Sequence, residues 1–503
     1  MNSVSVSPTS AEGGNLPTDR WRVQIIERYV PLVVVILAVG SIILTAAKII
    51  SYGYLPPDDS LRHAAKAVSG KPWDQILVMR SDFTVDHNYG WHKILAAVHH
   101  TLDSGPDLLV TLSVGGLFIL YCVAPLLWLR RPEAWLAVLF GFGLYGTLTR
   151  MTLGRPFILT AAVLLVVLML WREVKKPGIG LLFATTLLIA GSVWIHGSWY
   201  LFSLPIFAFL LAGRWRSTIH LLGCWLVGTL LGACGTGHPL EFPVQAIRIL
   251  ASCFSYHPLE RMLVTEFQSS DGAVTIVFAV GLALLFRRSR GLEIGPSVRN
   301  PVFVLAALGW FLGLSVRRFW VDWGAPAACL WLALELQEFL ESRCTRNSIA
   351  RLATAAIFAA GVYISLTRDC EGRWTYNLTR EYLSADDPEL QGWLPEKGGT
   401  LYSADMSTFY HTFFKNPNGD WRYILGFEPT FMPAEDLKIY RNIQWNYGET
   451  KAYLPWVKKM RPEDRLALLK GPSNKPDLKG LEWHYAAGGI WLGRLPRPPS
   501  ATP

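Results

Sequence analysis

VPLVVVILAVGSIILTAAKII, residues 30–50, carries a single charge, Lys48, and is followed by no A-x-A-like cleavage pattern. A helix over this run is about 30 Å long, the thickness of a bilayer's hydrocarbon core. It is too long for a secretion signal, so it reads as an anchor that stays in the chain. Residues 1–18 before it, small, polar and rich in Pro and Gly, read as a disordered cytoplasmic tail.

Runs of similar character recur at 107–129, 134–149, 156–171, 179–195, 198–213, 218–235, 272–286, 301–316, 320–339 and 349–366. The breaks between them alternate in charge. Arg130 and Arg131, Arg172 with Lys175 and Lys176, Arg214 and Arg216, Arg287 with Arg288 and Arg290, and Arg343 with Arg346 and Arg351 fall at every second break. Basic residues collect on the cytoplasmic side, so these breaks are read as inside. The expectation is a mainly α, polytopic membrane bundle of about eleven spans over residues 19–367, with outer loops at 51–106 and 237–271. No repeat of solenoid length and no matched pair of broken helices points to an array or an inverted-repeat transporter.

After Arg368 the composition turns to a globular mixture, and apolar runs shrink to a few residues. Residues 368–503 are therefore expected to form a soluble outer domain of α/β or α+β type. GGTLYSA (398–404), WRYILGF (421–427) and GGIWLGRL (488–495) read as strands, and PAEDLKIYRNI (433–443) and PEDRLALLKG (462–471) as helices.

Of the 503 residues, 51% are apolar and 17% charged, against roughly 25% charged in a soluble domain. The net charge of +9 has its explanation in topology, because no basic block is interleaved with the aromatic and glycine pattern of a nucleic-acid module. Seven cysteines without CxxC spacing indicate neither a disulfide framework nor a zinc site.

Chemistry concentrates at the outer ends. GYLPPDDSLRHAAKAVSGKPW (53–73) places Asp58 and Asp59 just beyond the first span, followed by a short helix over 60–68 carrying Arg62, His63 and Lys66 toward anionic groups. Neighbouring carboxylates raise each other's proton affinity, which suits one of them to act as a base. SDFTVDHNYGWHKILAAVHH (81–100) collects Asp82, Asp86, His87, Tyr89, Trp91, His92 and Lys93; it matches no metal-ligand spacing and reads as a polar pocket wall running into an amphipathic helix. Arg150 and Arg155 (TLTRMTLGRPF), His196 (WIHGSW), and Arg317 and Arg318 with Asp322 (SVRRFWVDWGAP) stand at other outer ends. One such arginine can merely reach lipid phosphate, whereas four on one face form an anion site. LEFPVQAIRILASCF (240–254) reads as a helix lying in the interface or capping the bundle, followed by Glu260, Arg261 and Glu266.

A long first outer loop opened by Asp58-Asp59, a later interfacial helix, about eleven spans and an outer C-terminal domain together resemble the GT-C superfamily of membrane glycosyltransferases. The resemblance covers nearly the whole chain as architecture and rests on the acidic pair as motif. It implies inverting transfer of a sugar from a polyprenyl-phosphate or -pyrophosphate donor to a lipid, glycan or protein acceptor outside the membrane. Asp58, with Asp59 as partner or alternate, would be the base; Arg150, Arg155, His196, Arg317 and Arg318 would bind the donor phosphate. Arg62, His63, Asp86, His87, Tyr89, Lys93 and Glu266 would bind substrate. Metal-dependent oligosaccharyltransferases of the superfamily carry a second acidic motif in another outer loop, but residues 149–156 contain no Asp or Glu. The expectation is thus a site with no metal and no other cofactor, in a bacterial inner membrane. A flippase or a polymerase of lipid-linked sugars is the rival reading.

The charge alternation has a direct test. Reporters fused after Arg172, Arg216, Arg290 or Arg346 are expected to report cytoplasm, and those fused after Gly70, Ser269 or Gly398 the outside. A cytoplasmic signal at Gly398 removes the shared outer compartment.

Overall fold

A computed structural model of the chain describes residues 17–83, 85–142, 149–254, 268–343 and 348–496. Each of the eleven apolar runs lies on helix where described. Tyr29–Ser51, Pro106–Leu127, Trp215–Cys234 and Ser348–Thr367 are long and apolar enough to cross a membrane. Pro132–Phe142, Phe157–Trp171, Ile179–Ile195, Trp199–Leu211 and Pro301–Gly313 are shorter apolar helices. The remaining two runs form Val274–Ser289 and Ala325–Arg343.

The long first helix shows why such sequences pack as they do in lipid. Ala38, Ile42, Ala46 and Ile49, spaced four, four and three apart, are buried, while Leu32, Ile36, Ile43 and Leu44 on the other side are exposed. Lipid is as apolar as leucine, so association depends on close fit, and small residues mark the seams. Ala355 and Ala359 of Ser348–Thr367 are buried against the first helix. Gly228 and Gly232, four apart on Trp215–Cys234, face Ile179–Ile195 so closely that a Cβ at either would stand 2.9 Å from the Thr186 carbonyl oxygen or 2.6 Å from that of Ala190. Two of the basic breaks are tied together, since Arg131 and Arg351 both reach Glu133 and Arg351 Nη2 donates to Arg130 O, and a third is tied to helix Ala325–Arg343 through Arg287 on Glu335 and Glu338.

Toward the C-terminus a five-stranded sheet has the order β2-β1-β3-β5-β4, with β1 Thr400–Tyr402, β2 Arg422–Tyr423, β3 Arg465–Leu469, β4 Glu482–Ala486 and β5 Ile490–Arg494. β2, β1 and β3 run parallel, and β3, β5 and β4 antiparallel. Helices Met406–Lys415 and Ala434–Trp445 make the crossovers. The segment 462–471, expected to be helical, is instead a turn leading into β3. Arg-Leu-Ala-Leu-Leu has good helix formers, but it sits between β1 and β5 with both faces covered, and a strand buried on both faces loses the alternation that would betray it. Even Arg465 is fully buried there, donating to the carbonyls of Pro462, Asp464 and Gly392.

This sheet is continuous with the loop that follows the first long helix. Val78 N donates to Tyr423 O at 2.9 Å, Arg80 N to Phe431 O at 2.9 Å, and Lys71 Nζ to Gly419 O at 2.8 Å. Ala65, Ile76 and Leu77 share one apolar core with Leu401, Phe409, Phe413 and Tyr423. Asn377, in the tripeptide Asn-Leu-Thr, is buried with Nδ2 on Gly53 O at 2.9 Å, so its amide is committed to holding the C-terminal segment at the first span's exit.

Gly232→Ala is expected to lower the thermal midpoint in detergent, by about 1–3 kcal/mol of overpacking, because the new methyl meets a backbone oxygen. Gly223→Ala, on the same helix with nothing within 4 Å, should leave it unchanged or slightly raised.

Candidate functional site

The Pro56-Pro57 turn ends at Asp58, which precedes helix Asp59–Ser69. An Asp in that position normally accepts a hydrogen bond from the helix's first amides. Asp58 makes no such bond; Arg155 Nη2 donates to its Oδ2 at 2.6 Å and Nε to its Oδ1 at 3.3 Å. Arg155 Nε also stands 3.5 Å from Asp59 Oδ2, and Arg62 Nε donates to Asp59 Oδ1 at 2.7 Å. Gly154 makes this approach possible. It has φ +63°, and a side chain there would press on Val114 N and Ser60 Cβ at 3.2 Å.

His196 ends helix Ile179–Ile195 with its ring edge-on to Phe157. Gly197 follows, its N–H on His87 O at 2.9 Å, and a Cβ there would strike His87 Nδ1. Arg318 begins a turn that widens into the π-helical segment Trp320–Gly324, a distortion common at working sites. The crossing of Gly309 on Gly324, where a Cβ would find backbone at 2.4 Å, fixes that segment. It buries Asp322, which pairs with Arg318 Nε at 3.0 Å and Arg150 Nε at 2.8 Å.

These elements enclose a cavity of about 280 Å³. Asp59, Arg62, Arg155 and Arg318 line it with His87 and His196, and the C-terminal segment closes it with Met406, Tyr410, Phe427 and Glu428. The Arg62 guanidinium lies 3.9 Å from the centroid of the Phe427 ring. Arg62 Nη1, His87 Nε2, His196 Nδ1 and Trp323 Nε1 are buried with no protein hydrogen-bond partner. Sharing His87, Phe427 and Phe431 with this cavity is a wider cleft of about 830 Å³, lined by Lys66, Trp73, Asp86, Tyr89, His92 and Lys93 among others.

The sequence-predicted set is thus sorted. Asp59, Arg62, Arg155, His87, His196 and Arg318 come together on one cavity. Asp58 sits against Arg155 without lining it; Asp86, Tyr89 and Lys93 belong to the cleft. Arg150 does not reach the cavity, because buried Asp322 holds it, and Arg317 is exposed with its backbone N–H on Gln268 O. The four arginines therefore do not converge; two of them do, with Arg62. His63 is not presented to ligands either: it is 2% exposed, and its Nδ1 meets His92 Nε2 at 2.8 Å. His92 Nδ1 in turn meets Asp86 Oδ2 at 2.5 Å, so the carboxylate fixes His92 as donor at Nδ1 and His63 as donor to His92. Glu266 lies outside the described residues. Tyr410, Phe427 and Glu428 come from a segment in which nothing local signals a site.

Burial favours the neutral acid, yet the guanidinia of Arg62 and Arg155 outweigh it and hold the Asp59 carboxyl well below its ordinary value. Burial, reinforced by Arg318, brings His196 down to about 3, and burial brings His87 to about 4. His63 and His92 are lowered by burial as well. The cavity is therefore lined by ionised Asp and Arg and by neutral imidazoles.

No protein-family model and no curated protein matches the sequence. Among solved structures the chain is similar to the oligosaccharyltransferase of Archaeoglobus fulgidus tethered with an acceptor peptide containing the NVT sequon. The identity is 12% and the TM-score 0.49, covering 88% of this chain and 69% of that one. The apo form of that enzyme is similar at 13% identity and a TM-score of 0.47, with the same coverage.

The neutral histidines set a pH window. Unfolded, they take up protons below their ordinary 6.5; folded, His87 does so only near 4. The unfolded state binds more protons in between, so stability is expected to fall as pH drops from about 6.5 to 4. His196→Gln should make that decline shallower in melts recorded across the window, and an unaltered slope would show that His196 takes up its proton as readily in the folded protein as in the unfolded one.

Proposed function

We propose that the chain is a membrane glycosyltransferase of GT-C type that moves a sugar from a polyprenyl-phosphate or -pyrophosphate donor to a nucleophilic acceptor, with inversion. The observation that carries this reading is one cavity in which the Asp59 carboxylate and three guanidinia meet, one of them clasped from behind by Asp58, beyond the end of the first long apolar helix. Arg62, Arg155 and Arg318 offer the two-pronged geometry that phosphate oxygens fit. A prenyl tail would stay among the apolar helices while its head reaches this cavity.

In the proposed step, the acceptor's oxygen or nitrogen attacks the anomeric carbon as the bond from that carbon to the phosphate oxygen breaks. The bonding pair leaves with the phosphate, and the acceptor's proton passes to a carboxylate. Asp59 is the better placed for that proton because it lines the cavity, while Asp58 anchors Arg155. As a phosphate draws Arg155 and Arg62 toward itself, it loosens the pairing that depresses Asp59, so donor binding strengthens the base. The departing charge rests on guanidinia already in position. The wider cleft, with Trp73 and Tyr89 in its walls and Lys66 and Lys93 beside those rings, is where the acceptor would lie. Both carboxylates are held by guanidinia. The reading therefore assigns the counter-charge to arginine rather than to a divalent ion.

The test is transfer from a synthetic short-chain prenyl-phosphate sugar by purified protein in nanodiscs, with melting measured alongside. Asp59→Asn keeps the shape and removes the basicity, so transfer should fall by about two to four orders of magnitude. Arg155→Ala should raise the donor KM, and Arg155→Lys should recover only part because a point charge lacks the fork. Wild-type transfer by Asp58→Asn, Asp59→Asn and the double variant would sink the assignment in favour of a lipid-binding or translocating role.

A further inference from the structure

A second cavity, of about 360 Å³, lies in the C-terminal segment at the carboxyl ends of β1 and β3. The chain leaves β1 through helix Met406–Lys415 to β2 on one side, then returns through helix Ala434–Trp445 to β3 on the other. The crossovers thus part between β1 and β3, and ligands of parallel sheets collect at such a reversal of strand order, outside the carboxyl ends. Ser403 and Asp405 just after β1, and Lys470 just after β3, line the cavity from that edge.

Tyr440, Tyr447 and Tyr453 also line it, and Tyr447 is conspicuous. Its side chain is 96% exposed, and its φ is +50°. Its N–H donates to Gln444 O and that of Gly448 to Ile443 O, the paired bonds that close a helix C-terminus, and they place Tyr447 at the left-handed position where glycine is usual. A bulky aromatic in an unfavourable backbone conformation, left wholly in water at a cavity rim, contributes nothing to the fold and fits a working contact.

The chemistry of the lining selects the ligand. Asp405 Oδ2 accepts from Thr408 N at 2.8 Å, Thr408 Oγ1 at 2.9 Å and Ser407 Oγ, so a carboxylate already occupies the positive end of the helix that would otherwise draw a phosphate. The cation in the lining, Lys470, has its Nζ on Gly448 O at 3.1 Å. What remains is the Asp405 carboxylate, the Gln444 amide, whose Nε2 donates to Ala404 O at 2.8 Å and whose oxygen accepts, and hydroxyl groups beside the exposed Tyr447 ring, a set that matches the hydroxyls and apolar ring faces of sugars. We propose that this cavity is a carbohydrate-binding site for a neutral glycan, separate from the transfer cavity. Met406 lines both cavities, so the two stand on either side of one side chain.

The test is titration of the full chain in nanodiscs with maltotetraose, chitotetraose and xylotetraose, read by microscale thermophoresis. Saturable binding of at least one is expected. Tyr447→Ala, which removes an exposed ring and should leave the melting temperature unchanged, is expected to weaken it about tenfold, and Gln444→Leu to weaken it too. Asp59→Asn should bind the glycan as the wild type does even where transfer is lost, which separates this site from the proposed reaction. Absence of binding by all three probes, or affinities unaltered in both cavity variants, overturns the proposal.

Discussion

The structure around the site depends on one cluster of charge: Arg155 clasping Asp58 and touching Asp59, with Arg62 holding Asp59 from the other side. Charges taken out of water are tolerated only when paired and hydrogen-bonded. These four side chains come from two separate pieces of chain, 58–62 and the turn at Arg155, so their pairing ties the first loop to the turn before Phe157–Trp171. The C-terminal segment completes the enclosure by laying Phe427 over Arg62. Removing either acid takes away one of the contacts that hold these guanidinia in place, so the pair is structural whatever else it does.

The same cluster leaves the cavity with no bare positive hole. Each guanidinium is already engaged: Arg155 and Arg62 with the acidic pair, Arg318 with Asp322. In the proposed reaction an incoming phosphate would exchange partners instead of filling a bare positive hole, so binding and a change in carboxylate basicity would be coupled by one competition. The neutral imidazoles of His87 and His196 leave the charge of the site to arginine and aspartate.

How much of this was legible in the sequence depended on range. The apolar runs declared themselves by length and the helix Glu241–Phe254 by its spacing, and both are local properties. The acidic pair stood out because adjacent carboxylates directly beyond an apolar span are few. Arg150 and Arg317 could not be told from Arg155 and Arg318, since each pair differs by a turn whose direction depends on Gly154 and on the crossing at Gly309 and Gly324. β3 was read as helix because Arg-Leu-Ala-Leu-Leu has no alternation to show when neighbours cover both faces. Tyr410, Phe427 and Glu428 were invisible for a related reason: nothing near them in the chain announces that their segment folds back over residues more than 300 positions earlier.

That fold-back has a consequence for water. Edge strand β2 takes its last pairing from the first loop, through Val78 N on Tyr423 O, and the shared core of Ala65, Ile76 and Leu77 with Phe409 and Phe413 lies directly under it. The loop that bears the carboxylates and the segment that roofs them are therefore one packed unit. A roof carried on a flexible linker would admit water whenever it drifted, weakening every ion pair beneath it. Here the roof is anchored by backbone pairing and aromatic packing on the same short helix that presents Asp59 and Arg62, so the low-polarity surroundings that depress His87 and His196 and sharpen the arginine contacts are built into the loop's own fold.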